Sequence, residues 1–261
     1  MSPRTKVLPC AAMIVALCAT TCAQNARAGK NTVTIRGQRQ SVYLYQAEGA
    51  AQHGKILFAP GDAGCRGFAV AIAGQLAKAG YDTYCFDTLR YLKTFTGPAV
   101  LSTVQIASDF NQIARWIEQN AHERLLFVGW SEGAGLGLAT AADPANQALF
   151  DGLIAIGTPE DNILAWRWTD VGAWITKRSP HEPTFKSAEF MPKVSPLPLF
   201  VIASTSNEYV TPEGTRKLFS AARQPKQLVV VSARDHKYSG NTEGFFNVLR
   251  EGLGWIERQQ H

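Results

Sequence analysis

The sequence predicts an α/β fold in which helices cover both faces of a mostly parallel central sheet. Short apolar runs bounded by turn residues recur along the chain, and amphipathic helical patterns separate them. Such runs are typical of strands buried on both faces of a parallel sheet, and their alternation with helices builds that sheet through right-handed crossovers. Of the 261 residues 46% are hydrophobic and 18% are charged, which excludes an intrinsically disordered chain.

The strands are predicted in two groups. Residues 31–38 and 41–46 alternate between polar and apolar side chains, which predicts an antiparallel pair at one edge of the sheet. The buried strands are predicted at 55–59, 82–86, 125–130, 153–157, 198–204 and 227–232. The intervening helices are predicted at 68–79, 101–119, 133–142, 212–222 and 244–258.

Residues 160–196 interrupt this alternation with an insertion rich in aromatic residues and proline. A long interruption within a compact domain is more often functional than accidental. It predicts a cap over the carboxyl edge of the sheet, containing one or two short helices. A surface excursion packed on itself is the alternative.

The first 28 residues have the features of a cleavable secretory signal. Two basic side chains precede an apolar stretch at 7–19, and an Ala-x-Ala motif ends at Ala28. A membrane span needs about 20 apolar residues, so the shorter stretch disfavours an anchor. Cleavage after Ala23 and a lipoprotein site at Cys22 are alternatives. We expect a periplasmic or secreted mature chain, residues 29–261, with no stable membrane span.

Removal of this segment changes the charge and the cysteine count. Residues 1–28 carry three basic side chains and no acidic one, so the formal net charge falls from +5 to +2. That change weakens the case for a polyanionic partner such as nucleic acid. Cys65 and Cys85 are the two cysteines that remain. In an exported protein they could form a disulfide or stay as two buried thiols.

A candidate nucleophile lies in Gly129-Trp130-Ser131-Glu132-Gly133, between a predicted strand and a predicted helix. In that context G-x-S-x-G predicts a sharp turn that lifts the serine hydroxyl clear of the sheet. The turn also directs the backbone amide of Glu132 and the helix N-terminus toward an oxyanion. The second oxyanion donor is predicted to be the amide of Asp62, in the loop Gly61-Asp62-Ala63-Gly64 that follows the strand at 55–59.

A serine nucleophile needs a base, and His236 is the histidine best placed for that role. It follows the last predicted strand, at the carboxyl side of the sheet. By contrast, His53 precedes a strand at the opposite edge, His122 ends a helix at the amino side, and His261 is terminal.

The carboxylate that would orient His236 is predicted to be Glu208, after the preceding strand. Glu160 and Asp161 are the alternatives, because they follow the strand at 153–157. Asp235 is disfavoured, since a neighbour in sequence would struggle to reach the imidazole.

Together these residues resemble the α/β-hydrolase superfamily over about residues 33–256, with the nucleophile, acid and histidine in matching order. The segment Glu208-Tyr209-Val210-Thr211-Pro212 resembles the superfamily's D-x-V-x-P, with glutamate for aspartate. The loop Gly61-Asp62-Ala63-Gly64 and the segment 86–92 also resemble the G-D-G-G and D-S-L-R-Y-F segments of the exported bacterial virulence proteins VirJ and AcvB. Cys65 replaces their tryptophan, and Trp130-Ser131-Glu132 replaces their Y-S-F. This second resemblance implies a periplasmic serine hydrolase, with aminoacylated phospholipid as one substrate class.

The residues favour hydrolysis of an ester, thioester or amide through an acyl-enzyme. The alternative is a catalytically silent hydrolase fold used as a binding or secretion-assembly module, which the complete set of Ser131, His236 and Glu208 disfavours. The carboxylates of Asp62 and Glu132 favour a cationic acyl group, unless both side chains point away from the nucleophile. The sequence predicts no metal site and no cofactor, because its histidines are dispersed and no H-E-x-x-H occurs. The expected partner is a small-molecule or lipid ester, and no nucleic acid is expected.

Overall fold

The computed structural model describes residues 29–49, 53–97, 100–118, 125–176 and 181–260. The predicted signal segment at 1–28, His122 and His261 lie outside the described residues. Among the helices within these ranges, none is long and apolar enough to cross a membrane.

Ten strands form one large sheet and one small sheet in the described part of the chain. They are β1 (Gly29–Ile35), β2 (Gln38–Tyr45), β3 (Gly54–Ala59), β4 (Tyr81–Phe86), β5 (Leu125–Trp130), β6 (Gly152–Ile156), β7 (Asp161–Ile163), β8 (Thr184–Lys186), β9 (Leu199–Ser204) and β10 (Lys226–Val231). Eight of them form the large sheet, in the order β1-β2-β4-β3-β5-β6-β9-β10. Strand β2 is antiparallel to both of its neighbours, and the other neighbouring pairs are parallel.

The helices cover both faces of the large sheet, as predicted. They are α1 (Phe68–Lys78), α2 (Thr88–Thr94), α3 (Thr103–Ile117), α4 (Glu132–Ala141), α5 (Pro144–Gln147), α6 (Val171–Thr176), α7 (Ser187–Phe190), α8 (Pro212–Ala221) and α9 (Thr242–Arg258). Helices α1 and α9 bury their apolar residues in the core on one face, and α2, α3, α4 and α8 do so on the other.

The predicted antiparallel pair and all six predicted buried strands are present. The ends of the buried strands lie within one residue of the prediction, and those of the antiparallel pair lie within three. The match is closest for β5, because its six residues are all buried and turn residues bound it. Helices α2 and α5 were not predicted, since seven and four residues are too few to show a clear amphipathic period.

The insertion at 160–196 contains the short hairpin of β7 and β8, the helices α6 and α7, and two 3₁₀ turns at Trp168–Asp170 and Met191–Lys193. The buried side chain of Asn162 donates to the hydroxyl of Ser187 over 2.8 Å, and that hydroxyl donates to the carbonyl of Pro159 over 2.7 Å. These two hydrogen bonds link β7 to the first residue of α7, and link that residue to Pro159, which lies between β6 and β7. That the insertion caps a substrate site stays a prediction.

Helix α2 is anchored by a buried polar cluster. The Tyr91 hydroxyl donates to Asp109 Oδ2 over 2.6 Å, and the Arg36 guanidinium donates to both carboxylate oxygens of Asp109. Burial raises the pKa of Asp109, while the hydrogen bonds from Tyr91 and Arg36 act in the opposite direction. Because both carboxylate oxygens are satisfied, the cluster fixes α2 against α3 and the β1–β2 turn.

Candidate active site

Ser131 lies in the turn between β5 and α4, in a backbone conformation that non-glycine residues rarely adopt. Its φ and ψ angles are 58° and −127°. The backbone amide of Ser131 donates to the carbonyl of Ile156 over 2.9 Å, which ties the turn to the end of β6. Strain of this kind persists only where the surroundings over-determine it, and it concentrates at functional sites.

The two glycines of the motif permit close backbone contacts around this turn. A Cβ atom on Gly133 would lie 1.8 Å from the carbonyl oxygen of Ala59, and one on Gly129 would lie 2.4 Å from the carbonyl oxygen of Gly133. No side chain fits at either position. Gly133 therefore allows the end of β3 to pack directly against the first turn of α4, and Gly129 allows the end of β5 to pack against the same turn.

The predicted oxyanion loop lies beside Ser131. A Cβ atom on Gly61 would approach Ser131 Cβ to 3.1 Å and Ser131 Oγ to 3.5 Å. Within the loop, the amide of Gly64 donates to the carbonyl of Gly61 over 3.0 Å and closes a tight turn. The structure thus brings the loop that carries Asp62 to the same place as Ser131 and Glu132.

A disulfide follows this loop. Cys65 and Cys85 are bonded, and their Cα atoms lie 6.1 Å apart. The bond joins the residue after Gly64 to the end of β4, and it decides between the two alternatives that the sequence left open. It ties the residue that follows the Gly61 loop to β4.

His236 lies next to the Ser131 turn, in contact with two aromatic rings. It lies in the loop between β10 and α9, and only 5% of its surface is exposed. Its imidazole stacks on the Trp130 ring at a centroid distance of 5.4 Å, and the Tyr209 ring packs nearly perpendicular to it at a centroid distance of 5.2 Å. A Cβ atom on Gly157, the residue after β6, would lie 2.8 Å from His236 Cε1. The imidazole therefore lies beside Trp130, the residue before Ser131. It also lies beside the end of β6, where the carbonyl of Ile156 accepts from the Ser131 amide.

Glu208 contacts His236 through the main chain. Its Oε2 atom accepts a hydrogen bond of 2.8 Å from the backbone amide of His236. The loops that carry these two residues are also joined where the Thr205 amide donates to the carbonyl of Val231 over 2.9 Å. The structure thus brings Glu208 to the histidine loop.

The other candidate acids have contacts elsewhere. The Glu160 carboxylate lies near the first turn of α8. Its Oε1 atom is 2.7 Å from the position that a Cβ atom on Gly214 would occupy. Asp161 lies 3.7 Å from the ammonium of Lys186. The Asp235 carboxylate accepts from the amides of Lys237 and Ser239, within its own turn.

The side chain of Glu132 turns toward the insertion. Its Oε2 atom accepts from the backbone amide of Ile163 over 3.0 Å, which links the first residue of α4 to β7. Burial, together with repulsion from Asp62, raises the pKa of Glu132 well above its ordinary value. Glu132 therefore keeps its proton at pH values at which an ordinary glutamic acid is ionised, and this carboxyl and that of Asp62 are close enough to interact.

Several residues of this site were missed from the sequence. Trp130 and Tyr209 enclose the imidazole of His236, and Gly157 leaves room for it with a φ of 57°. Their signal was positional: Trp130 precedes the candidate nucleophile, Tyr209 follows the candidate acid, and Gly157 ends a buried strand. For metal ions, the described ranges contain no group of three or more histidine, cysteine, aspartate or glutamate side chains that could hold one.

The sheet order, the turn between β5 and α4, and the histidine after the last strand define the α/β-hydrolase fold. Solved structures with this fold confirm it. Est1E from Butyrivibrio proteoclasticus has a TM-score of 0.66 and 14% identity, over 88% of this chain and 100% of that one. A proline iminopeptidase from Mycobacterium smegmatis has a TM-score of 0.67 and 15% identity, over 89% and 100%. The esterase domain of a Rhodothermus marinus protein has a TM-score of 0.59 and 23% identity, over 88% and 98%.

The more particular resemblance is also confirmed. Residues 55–148 match the family described as "Bacterial virulence protein (VirJ)". The matched segment runs from β3 to just past α5, so it includes the Gly61 loop and the Ser131 turn, but Glu208 and His236 lie beyond it. No curated protein sequence matches the chain.

Proposed function

We propose that the chain is a serine hydrolase that cleaves a carboxylic ester, thioester or amide through an acyl-enzyme. A fold alone does not define an activity, so the proposal depends on the site. The observation that carries it is the strained Ser131 turn, with the Gly61 loop on one side and the buried His236 ring stacked on Trp130.

In the proposed reaction, Ser131 Oγ attacks the substrate carbonyl while His236 accepts the hydroxyl proton. His236 then returns the proton to the leaving group, and water repeats the sequence to release the acid. The amides of Asp62 and Glu132 stabilise the oxyanion, and Glu208 orients the histidine. The first residues of α4 pack closely against the residues that precede the Gly61 loop, which supports two donors that are already in place before the reaction.

A fluorophosphonate probe tests the proposal directly. We expect the wild-type protein to be labelled and the Ser131→Ala variant to stay unlabelled. A panel of esters that differ in acyl-chain length would then identify the preferred acyl group. If the wild-type protein is neither labelled nor active on any ester, the catalytically silent binding module becomes the better hypothesis.

Glu208 is expected to be the acid of the triad. Replacement of Glu208 by alanine should lower kcat on the order of 10²- to 10⁴-fold, as loss of the orienting carboxylate does in other triads. Glu160→Ala and Asp161→Ala serve as matched controls and should retain near-normal kcat.

A further variant distinguishes the negative charge of Glu208 from its hydrogen bond to the His236 backbone amide. Glu208→Gln keeps an acceptor for the His236 backbone amide but removes the negative charge. If Glu208 acts on the imidazole, Glu208→Gln should lose activity as Glu208→Ala does. Near-normal kcat in Glu208→Gln would mean that Glu208 only holds the loop that carries His236. A large loss of kcat in Glu160→Ala or Asp161→Ala would identify that residue as the acid of the triad.

We further propose a substrate whose acyl group carries a positive charge, such as an aminoacylated lipid, the class that the sequence resemblance implies. The support is electrostatic: the Gly61 loop, which carries Asp62, lies against Ser131, and repulsion from Asp62 contributes to the raised pKa of the buried Glu132. Since the raised pKa of Glu132 favours its neutral form, Asp62 is the carboxylate proposed to attract an ammonium group.

The charge preference is measured with lysyl and succinyl esters of the same alcohol. We expect kcat/KM at pH 7 to favour the lysyl ester by about tenfold, the size of one partly screened charge interaction. Asp62→Asn, which keeps the backbone amide, should remove most of that preference. Glu251→Gln makes the same change of charge on an exposed residue near the amino end of β10 and should leave the preference intact. Equal rates for the two esters in the wild type would exclude this substrate class.

We also propose that the protein is exported after loss of residues 1–28. The Cys65–Cys85 bond supports this proposal, because structural disulfides persist in oxidising compartments such as the periplasm. N-terminal sequencing of protein from a periplasmic fraction tests it, with Gly29 expected as the first residue.

A further inference from the structure

Thr88 lies beneath the oxyanion loop and is completely buried. It is the first residue of α2, and Asp87 separates it from the end of β4. Its hydroxyl donates a hydrogen bond of 2.5 Å to the carbonyl oxygen of Gly61. The same oxygen accepts from the amide of Gly64 over 3.0 Å, so two donors hold the Gly61 carbonyl.

This carbonyl belongs to the peptide group whose amide is that of Asp62. In a planar trans peptide the carbonyl and the amide N–H point in opposite directions. A side chain that holds the carbonyl therefore also sets the direction of the Asp62 N–H. On the other side of this peptide, the α-carbon of Gly61 faces the side chain of Ser131, as the 3.1 Å approach of a Cβ atom to Ser131 Cβ shows.

We propose that Thr88 is a positioning residue of the oxyanion hole, whose hydroxyl holds the Gly61–Asp62 peptide so that the Asp62 amide faces the reacting carbonyl. The inference rests on the proposed function and adds to it a residue that touches neither the substrate nor the triad.

The position of Thr88 is itself fixed, which a positioning role requires. At the start of the helix, Asp87 Oδ1 accepts from the amide of Arg90 and caps α2, and the amide of Asp87 donates to the carbonyl of Ser41 in β2. One turn further on, the hydroxyl of Tyr91 donates to the buried Asp109. The Thr88 hydroxyl is thus held by a helix that is tied to the sheet and to α3, rather than by a loop.

Two substitutions separate the hydroxyl from the shape of the side chain. Thr88→Val keeps the shape and removes the donor, whereas Thr88→Ser keeps the donor and removes a methyl group. Thr94→Val is the matched control, because the Thr94 hydroxyl bonds to the carbonyl of Arg90 within the same helix. Fluorophosphonate titration counts the active sites in each preparation, so that kcat refers to folded enzyme.

We expect Thr88→Val to lower kcat per active site by about 10- to 100-fold, somewhat less than the loss of a whole oxyanion donor. Its KM should stay within about twofold, because the transition state depends on the amide direction more than the bound substrate does. Thr88→Ser and Thr94→Val should both stay close to wild type. A purely structural role would instead lower the melting temperature and the titrated fraction, and leave kcat per site unchanged.

Each other outcome is decisive. Wild-type kcat per site in Thr88→Val, or an equal loss in Thr88→Ser, would overturn the inference while the proposed function stands. If Thr88→Val does not fold, Thr88→Ala takes its place, and failure of both to fold would mean that the hydroxyl is structural. Absence of labelling and hydrolysis in the wild type would reject the proposed function itself.

Discussion

Removal of the Ser131 hydroxyl is expected to have the largest effect on activity. Ser131→Ala and His236→Ala should each lower kcat on the order of 10³- to 10⁶-fold. The two residues act on the same proton, so the double variant should be no slower than the slower single variant. Initial rates with an activated ester, at enzyme concentrations high enough to measure the residual rate, would show this lack of additivity.

The residual activity is also informative. Groups that act without the nucleophile, chiefly the oxyanion donors, are expected to leave a rate above that of the uncatalysed reaction. Trp130→Phe is a useful control, because it keeps an aromatic ring against His236 and leaves both catalytic groups in place. Additive losses in the double variant, or normal kcat in His236→Ala, would contradict the proposed roles.

Much of this site could be predicted from the sequence because its residues follow strand ends. Ser131 follows β5, the Gly61 loop follows β3, Glu208 follows β9 and His236 follows β10. In a parallel sheet these ends share one edge, so the order of the motifs already places the residues near one another. The buried strands themselves are visible as short apolar runs, as β5 illustrates.

The remaining features depend on contacts between distant segments, which local patterns do not show. The hydrogen bond of Thr88 to Gly61 depends on how α2 packs against the loop after β3, and the pairing of Cys65 with Cys85 depends on the distance between that loop and the end of β4. The raised pKa of Glu132 depends on its burial against β7. The sequence marked Glu132 and the two cysteines as candidates, but only the fold determines their surroundings.

The glycine at the start of α4 is expected to be the most sensitive position for stability. A single methyl group at Gly133 would lie 1.8 Å from the carbonyl oxygen of Ala59 and 2.5 Å from that of Pro60. Both atoms belong to the backbone, so neither a rotamer change nor a flexible side chain can relieve the clash. We expect Gly133→Ala to lower the free energy of unfolding by about 3 kcal/mol or more, at the upper end of overpacking costs.

Gly74→Ala provides the matched control for that measurement. Gly74 lies in the middle of α1, and a Cβ atom there would have no neighbour within 4 Å. The same substitution should therefore raise the free energy of unfolding by about 0.5–1 kcal/mol, through the helix preference of alanine. Urea unfolding of both variants measures the difference. If Gly133→Ala folds as stably as the wild type and keeps its kcat, then the contact between the β3 loop and α4 is not what holds the oxyanion donors in place. Lost kcat in a folded Gly133→Ala variant would instead show that catalysis depends on the close approach of these two backbones.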